Sequence, residues 1–131
     1  MKRILRNKDK GTYLERYLKS FGHAMAGIFY ALRYEHNMII IFTAAIVVTC
    51  AGFYFNINTY EWLFCIMAIG MVSATEMINT ALEAVVDLET SKFHPLAKIA
   101  KDTASSATLL FSLTAFIGAL IIFLPKIMEL L

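Results

Sequence analysis

The sequence has 131 residues, 59% of them hydrophobic and 17% charged, with a mean hydropathy of +0.64; too little polar surface exists to cover a soluble globule. Its 12 Lys and Arg against 10 Asp and Glu leave a net charge of +2, without the basic surplus that nucleic-acid binding asks for, and the length excludes a nucleotide-binding α/β enzyme. Cys50 and Cys65 lie singly in apolar runs, so neither a disulfide framework nor a zinc site is indicated and both read as small buried hydrophobes.

In chain order, a basic segment with Lys2, Arg3, Arg6, Lys8 and Lys10 leads into residues 12–34. There Leu14, Leu18, Phe21, Met25, Ile28, Phe29 and Leu32 recur at helical spacing, with Glu15, Arg16, Lys19 and His23 largely on other faces. This pattern predicts an amphipathic helix lying in the membrane interface, passive anchoring on headgroups being the simpler role for it. No Lys, Arg, Asp or Glu stands between Glu35 and Glu61, and residues 37–56 are long enough to form a first transmembrane span. Asn56-Ile57-Asn58-Thr59 supplies turn chemistry. A second span is expected over 60–88 and a third over 102–125, where small residues (Ala104, Ser105, Ser106, Ala107) suit close helix packing inside a bilayer. The chain thus reads as one all-α integral membrane domain over 1–131.

Signal-peptide cleavage is not expected, because the first apolar run begins well after the basic segment. Arg33 and the bases ahead of it precede the first span, and Lys92, Lys98 and Lys101 lie between the second and third. The positive-inside bias therefore predicts a cytoplasmic N-terminus in the inner (cytoplasmic) membrane, crossed several times. Lys126 is the one dissenting charge.

The most informative segment is Ala74 to Leu88. On a helix, Glu76, Asn79, Glu83 and Asp87 fall within an arc of about 80°, among apolar and small neighbours. An unpartnered acid at the middle of a span costs about 2.5–3.5 kcal/mol, so Glu76 points to chemistry or to a polar partner. Three readings remain open on these residues alone: a catalytic stripe, a stripe that glues an oligomer together, or the pathway of a small ion- or proton-coupled carrier. Against the carrier, no internal inverted repeat or broken helix is visible.

The run E-M-I-N-T-A-L-E-A-V-V-D (Glu76–Asp87), followed by F-H-P-L-A-K-I-A-K-D (Phe93–Asp102), with S-F-G-H-A-M-A-G-I (Ser20–Ile28) and R-Y-E-H-N (Arg33–Asn37) upstream, resembles the small prokaryotic diacylglycerol kinases. The H-P-L-A-K-I-A-K-D wording is similar to their Gram-positive branch, whose members act mainly as undecaprenol kinases. The resemblance implies a homotrimer of three-span subunits, with sites shared between protomers, that moves the γ-phosphate of ATP to a lipid alcohol, undecaprenol or alternatively diacylglycerol. It further implies Glu76 as general base, Asn79 as a catalytic residue, and Glu35 with Glu83 as ligands of the Mg²⁺ that accompanies ATP. Asp87 matches a structurally important acid. Lys101 and Asp102 match positions that meet the phosphates and the nucleotide, Lys92, Phe93 and His94 an adenosine-contacting loop, and Arg16 an N-terminal nucleotide or substrate contact. His23 stands in a nucleotide-contacting position that other members fill with Tyr. Ile39 and Ile41 replace arginine and acidic positions of some members.

Elementary chemistry is consistent with that set. Phosphoryl transfer needs positioning and charge neutralisation, hard oxygen ligands suit Mg²⁺, and a carboxylate in low dielectric is a stronger base. Read without the family, Asp102 is a helix-start dipole partner and Lys101 part of a connecting segment, His94 before Pro95 is a turn residue, and Arg16 meets headgroups. No GxxxxGK[ST] loop or protein-kinase signature is present, so ATP enters through the resemblance alone.

Overall fold

Four helices organise residues 12–90 and 92–130, which the computed structural model describes: α1 (Tyr13–Tyr34), α2 (His36–Tyr54), α3 (Thr59–Glu89) and α4 (Pro95–Met128). Each start has a local cause. Thr12 and Glu15 close a reciprocal capping box on α1. Asn58 accepts from the amides of Tyr60 and Glu61 at 2.9 and 3.1 Å while Glu61 Oε2 accepts from the Asn58 amide at 2.8 Å, a second box that starts α3. The turn before it depends on Asn56, whose φ of 52° lies in the left-handed region that asparagine tolerates.

The helices α2, α3 and α4 are each long and apolar enough to cross a membrane. Within one chain only 11%, 22% and 11% of their apolar windows are buried, so most of this surface needs lipid or protein around it. At 31 and 34 residues, α3 and α4 extend to about 46 and 51 Å, well beyond a hydrocarbon core of about 30 Å.

The principal contact is between α3 and α4, two antiparallel rods. Near the α2–α3 turn, Ile57, Cys65, Ile122 and Phe123 form the buried core. Gly118 sits against Phe64 so closely that a Cβ there would fall inside the ring, and one at Gly52 would lie 2.7 Å from Trp62. Backbone approach of this kind explains a glycine at each position. The Lys126 ammonium reaches Glu61 at 3.2 Å, both side chains mostly buried. The dissenting base of the sequence therefore has a partner at the far end of the neighbouring rod.

Several expectations need correcting. Pro95 at the first turn, capped by His94 whose Nδ1 accepts from the Leu96 amide at 3.2 Å, starts α4 earlier than Asp102. Lys98, Lys101 and Asp102 consequently stand inside a helix, and Asp102 neither caps it nor meets its N-terminal dipole. Cys65 is buried as read, but Cys50 is exposed on the outside of the bundle, because α2 presents that face to no other helix of the chain. The basic residues Lys2 to Lys10 lie outside the described residues.

Candidate active site

The acidic stripe of α3 grades from interior to surface. Glu76 is 2% exposed and Asn79 6%, Glu83 is half-buried, and the Asp87 side chain is 65% exposed. Helical periodicity places all four on one edge, and that edge turns toward α2 and α4.

Glu76 opens onto a cavity of about 270 Å³ between these helices. Around it stand the Asn37 amide of α2 and the hydroxyl-bearing residues Ser105, Thr108 and Ser112 of α4, with Ile40, Ile41 and Leu109 at its open rim. Among the described residues Glu76 makes no hydrogen bond or ion pair, and Thr108 Oγ1 is buried without a partner. A carboxylate placed there can take a proton from a hydroxyl brought within hydrogen-bond reach. Of these α4 residues the sequence marked only Ser105, within a cluster of small packing residues. Their steps of three and four along an apolar helix were the signal of a polar line facing Glu76.

One turn toward the surface, Asn79 Nδ2 donates to Glu83 Oε1 at 3.1 Å, while Asn79 Oδ1 is buried and unpartnered. Together they present hard oxygen donors of the kind Mg²⁺ takes. Glu35 is half-buried at the α1–α2 junction. No group of three or more His, Cys, Asp or Glu forms among the described residues, so within one chain these oxygens fit a metal that brings phosphate or water ligands of its own.

Beyond Glu83, Lys101 Nζ donates to Asp87 Oδ1 at 2.5 Å, joining α4 to α3. Lys98 pairs with Asp102 on the same helix. Lys92 and Phe93 are exposed in the α3–α4 connection, where the Thr90 hydroxyl accepts from the Lys92 amide at 3.2 Å. Arg16 lies over the Tyr13 ring, 5.2 Å from its centroid, and His23 is exposed further along α1. The structure thus joins Asn79 with Glu83 and Asp87 with Lys101, and gathers Glu76 with the α4 hydroxyls. Arg16 and His23 stand on α1.

Residues 22–123, which hold this acid and the hydroxyls it faces, match the prokaryotic diacylglycerol kinase family. The chain belongs to the prokaryotic diacylglycerol kinases. It is 42% identical over 121 residues to an undecaprenol kinase of Bacillus subtilis, covering 92% of this chain and 98% of that one. It is also 37% identical over 116 residues to a diacylglycerol kinase of Synechocystis sp. (87% and 66% covered), and 31% identical over 96 residues to one of Pseudomonas aeruginosa (73% and 78% covered). As a prokaryotic diacylglycerol kinase family member the chain is a multi-pass membrane lipid kinase with ATP as co-substrate. This sets aside the carrier and the purely structural oligomer.

Proposed function

We propose that the chain transfers the γ-phosphate of ATP to the hydroxyl of undecaprenol, giving undecaprenyl phosphate. Two things support that acceptor: the similarity to an undecaprenol kinase runs along nearly the whole of both chains, and the group facing the interior cavity is an acid buried to 2% exposure. The first observation carries the choice of acceptor, and the second supports a nucleophile that arrives through lipid. Synechocystis and Pseudomonas relatives are diacylglycerol kinases by name, and diacylglycerol is the rival acceptor.

In this reading Glu76 accepts the hydroxyl proton as the lipid oxygen attacks the γ-phosphorus and the bond to the β-phosphate oxygen breaks, releasing ADP. Asn79 holds the Glu83 carboxylate in place. Glu83, with the Asn79 side chain beside it, and Glu35 would hold Mg²⁺, which when bound neutralises phosphate charge. Lys101 exchanges Asp87 for phosphate oxygens. Asp102, Lys92, Phe93, His94, Arg16 and His23 line the approach of the nucleotide from water.

The same reading makes α1 an amphipathic interfacial helix. Its Ala31 packs into the bundle, while Leu14, Leu18 and Phe21 remain 70%, 62% and 66% exposed, surface that an acyl-chain boundary would cover. It also gives a cytoplasmic N-terminus in the inner membrane and a homotrimer that covers the outer faces of the spans. The test is phosphorylation of undecaprenol and of diacylglycerol by purified protein in mixed micelles with labelled ATP. Labelled undecaprenyl phosphate is expected, together with its loss in Glu76→Gln. No transfer to undecaprenol by folded protein would overturn the proposal.

A further inference from the structure

A second cavity, of about 310 Å³, lies between the same three helices. It shares Ile40, Ile41 and Ser112 with the chamber of Glu76 and continues away from it along every helix: toward Val48 on α2, toward Phe64 on α3 and toward Ala119 on α4. On α4 the stretch from Ser112 to Ala119 rises about 10 Å. The Ser112 hydroxyl is the one side-chain oxygen among its lining residues. The polar groove and the apolar trough therefore adjoin where α2 contributes two isoleucines, Ile41 half-buried and Ile40 56% exposed.

We infer that Ile40 and Ile41 form a selectivity neck that admits an alcohol whose hydroxyl carbon continues directly into hydrocarbon, and discriminates against one whose hydroxyl is flanked by ester groups. The inference rests on the lipid-kinase reading above and adds to it the residues that choose the acceptor. With its oxygen at Glu76, a prenol puts only carbon into the neck. A diacylglycerol puts its ester oxygens there within a few bonds of the hydroxyl. The isoleucines offer those oxygens no donor in place of the water they leave behind, a loss borne by the ester lipid alone. The discrimination is of the kind in which a polar group lacks its partner at one substrate and not at the other. The trough's occupant is the acceptor's own tail: Glu76, almost wholly buried and without a partner among the described residues, fixes where the hydroxyl must sit, and the trough is the apolar space that continues from it.

The neck predicts behaviour of the unmodified enzyme first. With chain length matched in mixed micelles, a plain long-chain or prenyl alcohol is expected to exceed a monoacylglycerol in kcat/KM by roughly tenfold or more, the effect of one unsatisfied polar group. Ile41→Asn, which supplies an amide donor at the neck, is expected to shift the undecaprenol-to-diacylglycerol ratio of kcat/KM toward diacylglycerol by roughly tenfold. The same change at Ile46, which lines neither cavity, is expected to leave that ratio in place. An active wild type that treats the matched alcohols equally or prefers the ester, or an active Ile41→Asn whose ratio moves less than twofold, would overturn the neck while leaving the kinase standing. Should the wild type phosphorylate none of these lipids, the kinase reading and the neck fall together.

Discussion

The α3–α4 hairpin treats its polar groups in opposite ways at its two ends. At the tight end, beside the α2–α3 turn, Glu61 both closes a capping box with Asn58 and receives Lys126, and the surrounding side chains pack against glycine backbone. At the site end, Thr108 Oγ1 and Asn79 Oδ1 are buried without partners among the described residues, and Glu76 is 2% exposed. Their ion-pairing neighbours Asp87 and Lys101 sit toward water. Unsatisfied buried polar groups destabilise a fold, so one end holds the rods in register and the other keeps groups available for a reactant.

This contrast can be broken by substitution, and the site end should give the largest effects on turnover. Glu76→Gln removes the base and is expected to lower kcat on the order of 10²- to 10⁴-fold with no loss of thermal stability; normal turnover would refute the assignment. Glu83→Gln is expected to raise the Mg²⁺ concentration for half-maximal rate about tenfold or more, read by a metal titration. An unchanged titration would remove Glu83 from the metal.

The tight end should move stability instead. Gly118→Ala places a methyl group into the Phe64 ring and is expected to cost about 1–3 kcal/mol, seen as a lower unfolding midpoint in detergent with KM for ATP unaltered. Lys126→Met, which takes the ion-pair partner from Glu61, is expected to lower the midpoint less by the same assay, because Glu61 keeps its bond to the Asn58 amide. A larger loss of activity than of stability in either would erase the division between the ends. The smallest effect is expected from Lys98→Ala. Its pair with Asp102 is exposed on both sides, and such pairs contribute about 0–1 kcal/mol.

What the sequence revealed follows the same division. Glu76 stood out because an acid among apolar residues has a known insertion penalty, and three spans stood out because charge is absent from long runs. The early start of α4 was obscured because Lys98, Lys101 and Asp102 interrupt the apolar pattern, although Pro95 after His94 carried the local signal of a helix start. The partner of Lys126 was not legible at all: Glu61 lies on another helix, and only the antiparallel packing of α3 and α4 brings the two together. Ser105 looked like a packing residue because serine serves both purposes inside a bilayer, and Thr108 and Ser112 stood out by no pattern of their own.

Because α4 runs unbroken from Pro95 to Met128, the lysine tied to Asp87 and the hydroxyls around Glu76 are marks on a single stiff gauge. Lys101 and Thr108 are separated by about 10 Å of helical rise, a gap that no loop can stretch. One extra residue spliced between Lys101 and Ser105 would swing the hydroxyls about 100° away from the salt link. Spacing along this rod is therefore a more stringent constraint than the identity of most side chains it carries.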